Sequence, residues 1–284
     1  MTCPLFIEYP CGFAALSIAL QRGFEGRGKV KPISPLVGRS GSKAGYAVEI
    51  LEIMGLKPGQ GADCYLWVDD DPLLVAALSV MVEPVLALEL AEYLIGWQEL
   101  DRKALWEVLK PDYPWSDYPL IERVAAYLYC QARMVGGRPL KAGMQFAPEY
   151  FWWEAEQKWS GNGTPLTTLI ARLIDQAEHP IPAVVERFTD PFPVPKHTIV
   201  YIDPPYQGTL GYPGAKGMTR AEVVDLACSW RDRGAQVYVS EAEPLLEIPR
   251  SGSHNLTRRA STKRHASKQQ DEWLTWLIND NYHK

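Results

Sequence analysis

The sequence predicts an α/β fold in which helices cover both faces of a parallel sheet, together with a mainly helical inserted region. Strand-like and helix-like segments alternate toward both ends of the chain, as is typical of such sheets. Between about residues 90 and 190 the composition changes, because this stretch is rich in Trp, Tyr and Pro and has helical spacing of apolar residues. We therefore predict a sheet domain formed by 1–90 and 190–284, with an insertion at 91–189.

In the N-terminal part, residues 5–20 predict a short strand, a Pro/Gly turn and a helix. Residues 21–45 are rich in Gly, Lys, Arg and Ser and predict a loop, and residues 46–56 have helical spacing. CYLWVDD (64–70) is an apolar strand that ends in acids, and PLLVAALSVM (72–81) begins with proline, as helices often do.

The remaining predicted elements complete the alternation of strands and helices. Predicted helices in the insertion are 91–109, 119–133 and 165–177. Beyond it, the sequence predicts a strand in VPKHTIVYIDPPY, a helix in TRAEVVDLACSWRDRG, a strand in AQVYVSEAE, and a strand or short helix in DEWLTWLIND. Ligands in such sheets bind beyond the carboxyl ends of the strands, and three predicted strands end in residues that could carry chemistry: FIEYPCG, LWVDD and VYIDPPY.

Composition limits the classes of protein to consider. The 284 residues are 46% hydrophobic and 22% charged, and no run of 18 apolar residues predicts a membrane span. The N-terminus lacks the basic and apolar regions of a signal peptide. The five cysteines are scattered and never form C-x-x-C, so we expect neither a disulfide framework nor a metal site, and we expect a cytoplasmic protein.

The stretch IVYIDPPYQG (199–208) carries the clearest chemical signal. Two successive prolines remove two N–H groups and keep the chain extended and stiff. The carboxylate of Asp203, the freed carbonyls and the ring of Tyr206 could together receive a planar group that bears an amino donor. The alternative interpretation is a turn at the end of a strand with a packed tyrosine.

IVYIDPPYQG resembles motif IV of the amino-group DNA methyltransferases, in particular the Dam-like adenine methyltransferases. The resemblance implies a Rossmann-like class I methyltransferase sheet, S-adenosylmethionine as cofactor, and an adenine flipped out of double-stranded DNA into a pocket. It also implies that Asp203 and Pro204 accept hydrogen bonds from the adenine amino group while Tyr206 stacks on the base. The catalytic residues implied are Asp203, Pro204, Pro205 and Tyr206.

FIEYPCGFAAL (6–16) resembles the first, cofactor-binding motif of this family. The sequence departs from the motif, because Tyr9 is inserted, Phe13 is bulky, and alanine stands where a second glycine is usual. A plain strand, turn and helix is the alternative. The Pro-Cys pair is similar to the nucleophile of cytosine carbon-5 methyltransferases, but we interpret the cysteine as a small loop residue. The cofactor-binding residues implied here are Glu8, Pro10, Cys11, Gly12 and Ala14.

PLVGRSGSKAGYAVEIL (35–51) resembles the family's cofactor-binding segment with a G-S-K core, which implies that Ser42 and Lys43 contact the cofactor. Otherwise Lys43 is a solvated lysine before a helix. In Dam-like enzymes the G-S-K segment normally precedes the strand of the first motif. In this sequence the G-S-K segment (35–51) follows the stretch that resembles the first motif (6–16). SVMVEPVLALEL (79–90) would restore the usual order as an alternative strand, but it has no glycine after its acid.

YLWVDDDPLLVAAL (65–78) resembles the family's second strand, whose terminal acid binds the ribose hydroxyls. Asp69 aligns best, Asp70 is the alternative, and Asp71 is predicted to cap the following helix. Asp203 completes the implied cofactor-binding set.

Two regions are candidates for DNA contact. Residues 123–149 resemble the family's target-recognition region, which gives the insertion at 91–189 its implied DNA-binding role. Residues 248–270 contain six Lys or Arg and no acid, which predicts a solvated mobile loop or a phosphate-contacting loop. The residues implied in substrate binding are Arg138, Lys141, Arg258, Arg259, Lys263 and Arg264.

The resemblance implies an adenine-specific enzyme that needs no metal and acts as a monomer or weak dimer in a bacterial or phage-infected cell. Two alternatives remain at this stage. One is an enzyme that methylates an amino group of cytosine or RNA, and the other is a degenerate homologue that binds nucleic acid without catalysis.

Overall fold

A computed structural model describes residues 3–12, 14–25, 31–32, 36–37, 43–132, 165–187, 189–205, 218–256 and 272–277. Its main sheet has seven strands, and a separate antiparallel pair consists of β2 and β3. The strands are β1 (Phe6–Tyr9), β2 (Phe24–Glu25), β3 (Lys31–Pro32), β4 (Tyr65–Val68), β5 (Ala183–Glu186), β6 (Ile199–Ile202), β7 (Gln236–Glu241), β8 (Ser251–Asn255) and β9 (Trp273–Leu277).

The order of strands in the main sheet is β5-β4-β1-β6-β7-β9-β8. The first five are parallel, whereas β9 runs antiparallel to β7 and β8 runs antiparallel to β9. The five parallel strands follow the 3-2-1-4-5 order of a Rossmann-like sheet, with its switch point between β1 and β6. The predicted α/β class is therefore confirmed, but the sheet is mixed rather than wholly parallel.

The described part of the chain contains eight α-helices, and the predicted helix after the first strand and the proline-started helix are among them. They are α1 (Ala15–Arg22), α2 (Ala47–Ile53), α3 (Pro72–Val82), α4 (Pro84–Ile95), α5 (Arg102–Leu109), α6 (Leu120–Gln131), α7 (Leu166–Glu178) and α8 (Arg220–Asp232).

Helices pack on both faces of the sheet, as predicted, and the two faces differ in composition. Because side chains alternate along a strand, β1 sends Phe6 to one face and Ile7 to the other. One face is largely aromatic and packs against helices including α1, α3 and α6; its strand residues include Phe6, Tyr65, Trp67, Tyr201 and Tyr238. The opposite face is aliphatic and packs against α8; its strand residues include Ile7, Leu66, Val68, Val200, Ile202, Val237 and Val239.

The sequence-based prediction missed two strands of the main sheet, in addition to β2 and β3, which lie in the predicted loop at 21–45. β5 lies within 91–189 and pairs with β4, so the segment predicted as a helical insertion also supplies an edge strand of the main sheet. β8 lies within 248–270, where the sequence predicted only a loop, and it pairs with β9 at the other edge. Gly252 of β8 lies flat against Trp276, since a Cβ at Gly252 would stand 2.3 Å from the indole ring.

Among the described residues, no single helix has the length and apolar composition needed to cross a membrane. α3 and α4 meet those criteria only when they are taken together, and they are bent by 109° at their junction.

Candidate functional site

The candidate site lies along the edge where the parallel strands end. Acidic side chains follow or close four neighbouring strands there: Asp69 after β4, Glu8 in β1, Asp203 after β6 and Glu241 in β7. Adjacent parallel strands bring their carboxyl ends to one edge, and the switch point opens a crevice there. The arrangement therefore places four acidic residues at the carboxyl ends of β4, β1, β6 and β7, with the switch point at the β1–β6 pair.

The loop after β1 is tied to the end of β4. The backbone N–H of Cys11 donates to the carbonyl of Val68 at 2.8 Å, and the N–H of Gly12 donates to Oδ2 of Asp69 at 3.1 Å. Gly12 has φ +51°, and no heavy atom lies within 4 Å of the position that a Cβ would take. Open space therefore adjoins the loop at the glycine that the sequence analysis assigned to cofactor binding.

Ala14 adopts a left-handed conformation, with φ 50° and ψ 46°, at the start of α1. This is the position where the related motif has glycine, and alanine is strained there because of its Cβ. Relief of this strain in Ala14→Gly should raise the free energy of unfolding by roughly 1 kcal/mol. The greater conformational entropy of glycine in the unfolded chain offsets part of that gain. Chemical denaturation would measure this change.

Ala19→Gly in the same helix is the matched control, because Ala19 is helical and fully buried. We expect it to lower the free energy of unfolding by about 1 kcal/mol or more. Equal destabilisation by both variants would contradict the strain at Ala14.

Glu8 is 3% exposed and contacts the start of α1. Its carboxylate accepts hydrogen bonds from Ser17 Oγ at 2.6 Å, Ser17 N at 3.1 Å and Leu16 N at 3.4 Å. Burial raises the pKa of Glu8 to about 7, even though these hydrogen bonds favour the charged form. The side chain predicted to contact the cofactor thus fastens α1 to β1 from inside the protein.

The three aspartates after β4 have different roles. Asp71 caps α3, since its Oδ1 accepts from Leu73 N at 3.0 Å and Leu74 N at 3.4 Å, which confirms the predicted cap. Asp69 is 5% exposed and accepts from Gly12 N and, at 3.0 Å, from Asp71 N. Asp70 is half-buried. Of the two candidates for ribose binding, Asp70 is the more accessible.

Lys43 forms ion pairs with both Asp203 and Glu272. Its Nζ lies 2.7 Å from Oδ1 of Asp203 and 3.2 Å from Oε1 of Glu272, and its side chain is only 6% exposed. Burial lowers the pKa of Lys43, but the two carboxylates outweigh that effect and raise it above its usual value. Lys43 is therefore a buried cation shared by two acids, and the interpretation of it as a solvated lysine is wrong.

Burial also raises the pKa of Asp203 to about 6, against the attraction of Lys43. Glu241, at the end of β7, has its pKa raised to about 7 by burial. Lys43 opposes this effect at Asp203 and Arg220 opposes it at Glu241, but burial is the larger influence on the pKa of both acids.

The backbone after β6 leaves acceptors open. Asp203 is anchored by its N–H, which donates to the Tyr9 carbonyl at 2.9 Å. Within the described ranges, neither Oδ2 of Asp203 nor the carbonyl of Pro204 accepts a hydrogen bond, although Pro204 is buried. These two oxygens belong to consecutive residues that directly follow β6.

Several predicted site residues lie outside the described residues. They are Ser42, Arg138, Lys141, Tyr206, Arg258, Arg259, Lys263 and Arg264. The alternative strand at 79–90 is wrong, because these residues belong to α3 and α4, and Glu83 between the helices is exposed. Residues 6–9 form the central strand instead.

The sequence analysis assigned no role to Glu272 or Glu241. Glu241 ends a predicted strand, so the rule that found Asp203 could have found it. Glu272 precedes a strand, and nothing in the local sequence connects it with Lys43. In the part of the chain that the structure describes, no group of three or more His, Cys, Asp or Glu side chains could hold a metal ion.

The fold and the site define an α/β protein whose five parallel strands have a Rossmann-like order and end in acidic residues. No protein-family model matches the chain, and a search of curated proteins gives no match.

Proposed function

We propose that this protein is an S-adenosylmethionine-dependent DNA methyltransferase that acts on the N6 amino group of a flipped adenine. The observation that carries the proposal is that Asp203 Oδ2 and the Pro204 carbonyl, which follow β6 at the switch point, accept no hydrogen bond from the described residues. The substrate class, an adenine in DNA, is proposed from the resemblance of residues 203–206 to the DPPY motif of Dam-like enzymes.

The two acceptors suit an exocyclic amino group, which has two hydrogens to donate. Holding both hydrogens orients the nitrogen lone pair out of the plane of the base and toward the incoming methyl group. Positive charge develops on the nitrogen during transfer, and the Asp203 carboxylate lies where it stabilises that charge. After transfer the nitrogen must lose one proton, and Asp203 is the base in contact with it.

Two features of the described residues fit a bound nucleoside cofactor. Open space adjoins the backbone at Gly12, and half-buried Asp70 at the end of β4 offers a carboxylate for ribose hydroxyls. S-adenosylmethionine, when bound, supplies an activated methyl group. Glu8 fixes the start of α1 through its hydrogen bonds with Leu16 and Ser17.

The test is to incubate the protein with unmethylated duplex DNA and S-adenosylmethionine, then digest the DNA and analyse its nucleosides by mass spectrometry. We expect to detect N6-methyl-2′-deoxyadenosine only in reactions that contain both the protein and the cofactor. Parallel reactions with RNA in place of DNA show which nucleic acid is methylated. Methylated cytosine or methylated RNA without methylated adenine in DNA would overturn the adenine assignment and leave amino-group methylation in place.

A second candidate is a nucleic-acid-binding protein that transfers no methyl group. It is favoured by the Gly12 N–H, which donates to Asp69 rather than pointing to a ligand, and by the alanine at position 14. Calorimetry separates the two candidates. Binding of S-adenosylmethionine supports the enzyme, and no detectable binding at millimolar cofactor supports the second candidate.

A further inference from the structure

We propose that Glu272 is a positioning residue of this site, which holds the Lys43 ammonium to one side of Asp203 so that Oδ2 stays open. Lys43 then balances the charge of Asp203 without covering the oxygen that receives the amino group. The catalytic consequence rests on the proposed function, whereas the electrostatic arrangement can be tested without it.

The geometry of the shared cation carries the proposal. Lys43 Nζ contacts one oxygen of each acid, at 2.7 Å for Asp203 and 3.2 Å for Glu272, so the two carboxylates lie within about 6 Å of each other. The side chains of Asp203 and Glu272 are 18% and 10% exposed. Screening by water is weak at such burial, so each of the two acids attracts the ammonium strongly.

Glu272 is itself held in place by the β8–β9 pair. Its carbonyl accepts a hydrogen bond from Leu256 N at 2.7 Å, just beyond the end of β8, and β9 begins at the next residue. The backbone that carries the Glu272 carboxylate is therefore fixed by the β8–β9 pair, and β7 separates β9 from β6, the strand that precedes Asp203.

Other titratable groups around Asp203 also affect the ionisation of its carboxyl group. Glu8 in β1 and Glu241 in β7 interact electrostatically with Asp203, as does the buried hydroxyl of Tyr201, which lies 2.7 Å from Ser240 Oγ. Loss of the Glu272 charge removes one negative neighbour of Asp203 and lets the ammonium move toward Asp203. Both effects favour the ionised form of Asp203.

A purely structural role for Glu272 makes a different prediction. The segment that carries Lys43 has a second contact with the same strand pair, because Glu49 of α2 lies 3.0 Å from His254 Nε2 of β8. If Glu272 only fastens this segment, Glu49→Gln should have the same consequences as Glu272→Gln. Glu49→Gln is therefore the matched control.

The first measurement is the titration of the Asp203 carboxyl by carbon-13 NMR, in the full chain without DNA or cofactor, with the signal assigned through Asp203→Asn. We expect Glu272→Gln to lower the titration midpoint by about one pH unit, whereas Glu49→Gln leaves it unchanged. Glu272→Asp keeps the charge and should restore most of the wild-type midpoint. An unchanged midpoint in Glu272→Gln, or equal shifts in Glu272→Gln and Glu49→Gln, would overturn the proposal.

The second measurement is steady-state methylation of duplex DNA. We expect Glu272→Gln to raise KM for DNA about tenfold with a smaller change in kcat, because Lys43 then competes with the amino group for Asp203. The acidic limb of the pH profile should move to lower pH. If wild-type protein methylates nothing, the proposed function fails, and the NMR titration alone decides the role of Glu272.

Discussion

Replacing Asp203 by asparagine is expected to lower the rate constant for methyl transfer about 1,000-fold, with binding of S-adenosylmethionine nearly unchanged. Asparagine removes the negative charge that stabilises the developing positive charge on the amino nitrogen. It also presents an NH₂ group that can face the amino hydrogens of the base. Single-turnover kinetics with excess enzyme would measure the methyl-transfer step, and calorimetry would measure cofactor binding.

Asp225→Asn is the control, since Asp225 is exposed on α8, which packs on the aliphatic face of the sheet. We expect its rate constant to equal that of the wild type. If the rate constant of Asp203→Asn is within threefold of wild type, Asp203 takes no part in methyl transfer. The fold assignment would not be affected.

The second large effect concerns the free energy of unfolding as a function of pH. Glu8 has its pKa raised by burial from 4.5 to about 7, which corresponds to about 3 kcal/mol between its two protonation states. The folded protein binds this proton more tightly than the unfolded chain. The stabilisation is therefore fully present below about pH 4.5 and is lost as the pH rises through about 7.

Glu8→Gln should flatten this dependence, because glutamine is neutral at every pH. At pH 8 we expect the variant to be more stable than wild type by roughly 2 kcal/mol, after about 1 kcal/mol is lost from the hydrogen bonds to α1. At pH 4 the variant should be the less stable protein. Urea denaturation at a series of pH values would measure both differences.

Glu52→Gln, on the exposed side of α2, is the control and should follow the wild-type curve. Asp203 and Glu241 have raised pKa values of about 6 and about 7, so part of the slope should remain in Glu8→Gln. The same slope in wild type and Glu8→Gln would show that Glu8 is not the buried acid described here.

The sequence predicted the centre of the sheet because its strands are apolar and end abruptly. β1, β4 and β6 are short apolar runs followed by acids and prolines, and these features depend only on local residues. β8 has no such pattern, because SGSHN is a polar edge strand whose formation depends on β9 and on the contact of Gly252 with Trp276. β5 has only four residues, and its side chains are partly exposed, so its sequence is weakly patterned.

The same division applies to the candidate site. Asp203 and Asp71 follow from rules on strand ends and helix caps, and both stand where those rules put them. The contact of Lys43 with Glu272 joins residues more than 200 positions apart, and only the tertiary fold brings them together. Likewise, the sequence offered Asp69 and Asp70 for the ribose, and only the tertiary structure distinguishes them, since Asp69 is buried and Asp70 is half-buried.

The place of β1 in the sheet has a consequence for biosynthesis. β1 leaves the ribosome well before its neighbour β6, which follows about 190 residues later in the chain. At typical translation rates of 5–20 residues per second, this interval is about 10–40 s. During that time the β6-facing edge of the central strand has no partner, so the nascent chain exposes an apolar edge that invites binding by chaperones.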